Sequence, residues 1–459
     1  MTSTTSTLPL DIDGLRDRIH GTVIAPGDPG YDEARAVMAG GIDRRPAVIV
    51  RVADTDDVRE VIALARTTGL ELAVRAGGHS GAGHSAVDDG IVLDVRGLDS
   101  LELDVEGRTA WAGAGLSAIA YTEAADAHGL ATGFGDTGSV GIAGLTLGGG
   151  IGYLVRRDGL TIDNLLAVEL VTADGTVHVV DADREPDLFW ATRGGGGNVG
   201  VATRFRYRLH PVAEVTGGML LLPATPAVLA GAMRTLAAAP ETLSAIVNVM
   251  PCPPMPFVPE SKHGTLVAMI MACHAGPAAE AAGALAPLRS LAEPIADMVR
   301  PIRYPEMYPP DDPDYHPLAV ARTIFLDRFD EALATAALAA LEASDAPMRV
   351  VQLRALGGAA SRVPADATAF AHRERRIMAA VAAFYEGPDD LPAKEAWVDA
   401  LVRTLEPAPG AYVNFVGDEG EARVHDAYPG PTWDRLARIK RAYDPENLFH
   451  RNQNVPPAA

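Results

Sequence analysis

The chain has 459 residues, 48% of them apolar, which is enough for two or three folding units and a sizeable core. Its formal net charge of −21 argues against nucleic acid and anionic membrane surfaces, both of which attract Lys and Arg. Cys252 and Cys273 offer no metal-ligand spacing, so no metal site is expected, and nothing supports a structural disulfide. The stretch Met1 to Asp11 is polar and lacks the apolar segment of a secretory signal, and no run reaches membrane-spanning length. The expectation is a soluble protein of a reducing compartment, the cytoplasm.

In chain order, Asp32 to Met38 reads as a short helix, and the β-branched run Ala47 to Val52 as a buried strand. Asp54 to Asp57 cap a helix from about Val58 to Arg66, with carboxylates at its positive end. Leu72 to Arg75 is a strand feeding a glycine turn. Ile91 to Asp94 and Thr109 to Ala112 are further strands, and Ser117 to His128 is a helix. Asp174-Gly175 marks a hairpin turn within Val168 to Val180, and Val201 to His210 is a strand.

Near Pro211 the glycine turns stop and Ala-rich helices begin, at Pro226 to Ala238, Ala278 to Ala292 and Phe329 to Ala343. Strands lie between them at Ser244 to Met250, Gly264 to Cys273, Ala319 to Leu326 and Met348 to Arg354. Pro251 to Pro259 and Met307 to Pro317 read as loops. This alternation predicts an α+β unit with helices over one face of a sheet. From Tyr412 the character changes again, to a strand (Ala411 to Val416), an amphipathic helix (Thr432 to Tyr443) and a polar tail. The middle block therefore reads as an insertion between two parts of one domain.

Two glycine-rich segments carry the chemistry. In Arg75-Ala76-Gly77-Gly78-His79-Ser80-Gly81, a turn with successive free N–H groups forms an anion nest, with a histidine at its lip and a second histidine at His84. Gly138 to Gly152 is equally permissive. Backbone N–H groups and helix N-termini let an acidic protein hold a pyrophosphate without a basic patch. Together the segments suggest a flavin dinucleotide tethered through His79, although a lone histidine is more often structural. Gly113-Ala114-Gly115-Leu116-Ser117-Ala118 fits a dinucleotide fingerprint by letter. No βαβ unit follows it, so it reads as a structural turn.

Five blocks resemble the flavin-binding domain of the vanillyl-alcohol oxidase superfamily, in its berberine-bridge-enzyme-like branch. They are Arg75 to Ser80, Val140 to Gly152, Arg157 to Asn164, Pro186 to Val201 and Asp444 to Asn454. The resemblance implies an α+β fold with a split PCMH-type FAD-binding domain, residues 1–211 and 409–459. Between its parts lies an inserted substrate domain, residues 212–408, an antiparallel sheet covered by helices. It implies FAD bonded covalently through His79. Arg75, Ala76, Gly77, Gly78, Ser80, Gly81 and His84 would surround that link. Thr137, Gly138, Ser139, Gly141, Gly144, Gly149 and Gly152 would line the second track, Val201 the adenine side. Asn452 and Asn454 would approach from a C-terminal strand.

Three departures from the family pattern shape the functional expectation. Thr137 stands where many relatives carry a second flavin-linking cysteine, so a single histidyl link is expected. Val140 falls at the oxygen-gating position, where a small side chain resembles oxygen-reactive members and favours an oxidase over a dehydrogenase; the alternative is that it simply packs. Phe415 replaces the tyrosine that many relatives use as base, and the sheet stretch Ile377 to Ala383 is apolar. Thr137, Tyr412 and Gln352 remain as catalytic candidates, with Asn248, His274, Arg322 and Arg354 as other polar residues of the sheet. Gln352 and Arg354 share one strand face. The resemblance implies an FAD-dependent oxidase that oxidises a small alcohol, amine or secondary-metabolite intermediate with dioxygen. A flavin-N5-oxide-type oxygenase of polyketide-like substrates and a catalytically inactive flavin-binding protein are the alternatives.

Overall fold

The computed structural model describes residues 10–212, 214–310, 312 and 314–459. Most of the polar N-terminal stretch, residues 1–9, lies outside these, as do residues 311 and 313 of the 307–317 loop. Among the described residues no helix is long and apolar enough to cross a membrane.

The α+β expectation holds. A four-stranded sheet has Val48–Arg51, Ile91–Asp94 and Leu72–Arg75 in parallel, with Thr22–Ile24 antiparallel at one edge. The helix Thr55–Thr68 crosses between two of these strands, and Asp54 caps it by accepting from the Asp57 N–H at 3.0 Å. An antiparallel five-stranded sheet follows in the order Leu101–Asp104, Thr109–Gly113, Val201–Arg208, Leu165–Val171, Val177–Asp181. The fingerprint-like turn leads into the helix Ala118–Asp126 and then a two-residue antiparallel strand, so it builds no βαβ unit. One hydrophobic core joins these sheets to the chain's end: it runs from Leu15 to Leu209 and takes in Ala411, Tyr428, Leu436, Phe449 and Val455.

The middle of the chain forms an eight-stranded antiparallel sheet. Its centre is Leu266–His274, Leu243–Pro251, Arg349–Ala355 and Ile377–Phe384, with Ala319–Leu326 at one end. The two faces differ. One is Val, Leu, Ile and Ala, and the helices Pro226–Ala238, Glu331–Ala343 and Leu391–Thr404 cover it. The other turns toward the Gly150–Ile162 segment: Ile246 and Cys273 pack with Tyr153 and Leu154, and Phe325 and Met378 pack with Ile151 and Val155.

Several sequence expectations need correction. Ala411 to Val416 is not a strand; Val413–Phe415 is one 3-10 turn. Alternation of apolar and polar residues there imitates a strand, but Asn414 donates to the Leu145 carbonyl at 2.9 Å and pins the segment to the glycine track. The tail around Asn452 and Asn454 is also not a strand. The strand Val215–Pro223, with Gly217 and Gly218 inside it, and the helix Leu391–Thr404 went unread. The Asp32 to Met38 helix is shorter, Tyr31–Arg35.

Candidate functional site

The first glycine loop leaves the strand Leu72–Arg75 and meets the second one backbone to backbone. A Cβ on Gly77 would collide with the Gly141 N–H, and one on Gly141 with the Gly77 N–H and the Ala76 methyl. The two loops can approach this closely only because both positions lack a side chain. His79 lies at this junction, half-buried, with its ring carbon Cδ2 3.2 Å from the place a Gly77 Cβ would take. Ser80 is half-buried beside it and Gly81 is exposed. Arg75 braces the loop from behind by donating to the Ala34 and Ala36 carbonyls, and burial lowers its pKa to about 10.

The second loop is tied down at its start. Ala118 N–H donates to the Val140 carbonyl at 2.9 Å, Ile119 N–H to Gly138 at 2.9 Å, and Ser117 bridges Gly141. Val140 packs against the main core. Thr137 and Ser139 are half-buried, Gly149 and Gly152 are buried, and Gly144 is exposed on the helix Ile142–Gly148. Val201 sits in the core opposite Val171.

The C-terminal tail reaches the first loop and the Gly194 to Gly200 run. Arg451 donates to the Gly83 carbonyl at 3.2 Å and to Ala86. Asn198, in the Gly194 to Gly200 run, accepts from Val455 N–H at 2.9 Å and donates to the Gln453 carbonyl at 3.1 Å. His84 Nε2, Asn452 Oδ1 and Asn454 Oδ1 are buried polar atoms with no hydrogen-bond partner in the protein. Burial, helped by the Arg451 charge, lowers the His84 pKa to about 4, so the ring is neutral near pH 7. Buried polar atoms are ordinarily paired. A side-chain-free junction, clustered backbone N–H groups and these unpaired atoms fit an extended, polar dinucleotide.

Above the second loop, the sheet presents one linked polar row. Gln352 stands opposite Asn248 in the strand register, and its Nε2 donates to Asn248 Oδ1 at 2.8 Å. Gln352 Oε1 accepts from Arg354 Nε at 3.0 Å and Nη2 at 2.7 Å. Arg354 Nη2 also reaches Asp136 Oδ2 at 2.7 Å, next to Thr137. His274 and Arg322, two other polar candidates of the sheet, are not in this row. Strand alternation puts them on the helix-covered face, where His274 meets Thr242 at 3.0 Å and Arg322 meets Asp399 at 3.2 Å.

Tyr412 is buried. Its hydroxyl accepts from the Gly150 N–H at 2.9 Å and from Asn414 Nδ2 at 3.0 Å. Burial pushes its pKa up to about 12 against these bonds, so it is held as a phenol and is a poor base near pH 7. Sequence reasoning missed Asp136 and Tyr153. Both border motifs that were read, Asp136 just before Thr137 and Tyr153 just after Gly152. Tyr153 is buried, and burial with the Asp136 charge raises its pKa.

Comparison with known proteins agrees with this arrangement. Residues 46–181 match the FAD binding domain family, and residues 411–456 match the berberine and berberine-like family. The chain is 31% identical to (R)-6-hydroxynicotine oxidase of Paenarthrobacter nicotinovorans, covering 96% of this chain and 97% of that protein. It is 30% identical to the FAD-linked oxidoreductase YvdP of Bacillus subtilis, covering 96% and 99%. The crystal structure of 6-hydroxy-D-nicotine oxidase from Arthrobacter nicotinovorans superposes with a TM-score of 0.84 at 26% identity, over 96% of this chain and 98% of that one. Xylooligosaccharide oxidase from Myceliophthora thermophila shares the fold, with a TM-score of 0.85 at 22% identity over 98% and 100%. The glycine junction, the helix-backed sheet above it and these likenesses agree: the chain belongs to the berberine and berberine-like family and is an FAD-dependent oxidoreductase.

Proposed function

We propose that this chain is an oxidase in which a single covalent bond from His79 holds the FAD, a small organic molecule is the electron donor and dioxygen the acceptor. The observation that carries the reading is the contact of the Gly77 and Gly141 backbones with His79 at their junction. When bound, FAD supplies a two-electron acceptor that dioxygen can return to its oxidised state. The chain's own residues fix it in position. The N–H groups around Gly77, Gly78 and Gly141 offer donors to phosphate oxygens, and His84, Asn452 and Asn454 offer unpaired polar atoms.

Thr137 supports a single link, because a hydroxyl cannot form the thioether that a cysteine would make there. Val140 is small and packed against the core, and a side chain of this size would let dioxygen approach the flavin beside the track. Tyr412 holds the Gly150 turn in place through its hydroxyl. The free, buried Cys252 and Cys273 are in keeping with a cytoplasmic protein.

The test is direct. Protein denatured in acid should give a yellow pellet, and His79→Ala should give a colourless pellet with yellow supernatant. A wild-type pellet without colour refutes the covalent link. A protein that purifies colourless and takes up no added FAD refutes the flavin reading itself.

A further inference from the structure

We propose that Arg354 is the substrate-recognition residue of this site, and that it selects molecules carrying an acidic oxygen on a flat apolar body. The oxygen is that of a carboxylate, an enolate or a phenolate. The proposal rests on the FAD reading above and specifies the substrate class of the same site.

The argument begins with hydrogen-bond accounting. A guanidinium has five N–H donors in a rigid planar fork. The Arg354 side chain is only 6% exposed. Nε and Nη2 are taken by Gln352 and Asp136. Nη1 is buried and has no partner in the protein. A buried donor of a charged group is ordinarily paired, so this one is available to a group from outside the chain. Gln352 cannot swing to satisfy it, because Asn248 holds its amide from the other side at 2.8 Å. The fork is therefore preorganised, with one prong open.

Charge decides what the open prong takes. An anionic oxygen adds Coulomb attraction to the guanidinium's positive charge, which an alcohol lacks, and this favours the anion. An ammonium would meet the guanidinium's own positive charge.

The surroundings supply the flat apolar body. The Phe415 ring lies 5.4 Å from the guanidinium carbon and is 39% exposed, an unusual state for a phenylalanine beside a buried polar network. Its ring meets Tyr412 edge-on at 5.1 Å, and Tyr412 meets Phe370 at 5.9 Å. A planar conjugated molecule against this wall would cover Phe415 while its oxygen reached Nη1.

The experiment uses purified yellow protein and follows the flavin's visible absorption during titration at pH 7. The probes are benzoate, pentafluorophenolate, benzyl alcohol and benzylamine. At least one of the two anions should bind about tenfold or more tightly than the alcohol and the amine. Which anion binds identifies the oxygen as carboxylate or phenolate. Arg354→Met should weaken the anion by about 30-fold and leave the alcohol nearly unchanged, and Arg354→Lys should recover part of the loss. The proposal is overturned if both anions bind no better than benzyl alcohol, if benzylamine binds best, or if Arg354→Met keeps the preference. If Arg354→Met does not fold, the wild-type ranking of the four probes still decides. Colourless protein would overturn the flavin reading and this inference with it; yellow protein with no preference overturns this inference alone.

Discussion

The two sides of the site are built by opposite means. Below, the Gly77 and Gly141 loops form a cradle from main chain, and its shape depends on side chains being absent. Above, the sheet presents Asn248, Gln352 and Arg354, whose positions depend on register and on one another. A backbone cradle of this kind suits a ligand rich in phosphate oxygens. A side-chain row on a strand can change with each substitution. The comparison teaches that one side takes its shape from missing side chains and the other from side chains that hold one another.

The sharpest way to break the comparison is to put a side chain into the cradle. In Gly141→Ala the new methyl would collide with the Gly77 N–H and the Ala76 methyl, so the loops must part. Overpacking of this kind costs about 3 kcal/mol. We expect a large fall in Tm together with loss of bound flavin, both read on the purified variant. Gly141→Ala with normal flavin content would mean that the close approach is dispensable.

A second test uses pH at His372, which packs 5.1 Å from Phe325 of the sheet and meets the Ala427 carbonyl of the C-terminal part at 3.1 Å. Burial holds His372 at about 4, against about 6.5 in an unfolded chain. Below pH 6.5 the unfolded chain takes up a proton that the folded one refuses. Stability therefore falls from pH 6.5 to about 4 and levels off below that. Between pH 7 and 5, wild type should lose about 2 kcal/mol more than His372→Gln, measured by urea unfolding. Parallel losses in the two proteins would show that His372 is not the group responsible. His84, also lowered to about 4, gives the matching comparison in the cradle.

The smallest expected effect lies at the seam between the two sides. Tyr412→Phe leaves the buried Gly150 N–H and one Asn414 N–H without their acceptor. The cost is about 1–2 kcal/mol, visible in Tm. Activity should survive, since a phenol pushed up to about 12 supplies no base at neutral pH. An activity loss far beyond the loss of folded protein would restore Tyr412 as a catalytic residue.

Legibility followed the same division. The strands Leu72–Arg75 and Ile91–Asp94 and the helix Pro226–Ala238 were readable to the residue, because caps, apolar runs and glycine turns are local signals. The Tyr412 segment misled because its alternation imitates a strand, whereas its geometry is set by a hydrogen bond to Leu145, far away in sequence. His274 and Arg322 looked as eligible as Gln352, since all lie on strands of one sheet. Only the placement of the helices shows which face is covered.

By itself, then, the sequence determined the glycine loops, the histidine between them and the split of the cofactor side around a middle block. Glycine patterns and β-branched runs act through neighbours in the chain. The tertiary structure decided which polar residues face the cradle, that Asp136 meets Arg354 across 218 positions, and that one guanidinium nitrogen is left without a partner. Those facts arise from strand pairing and from the faces that pack, and no local rule encodes either.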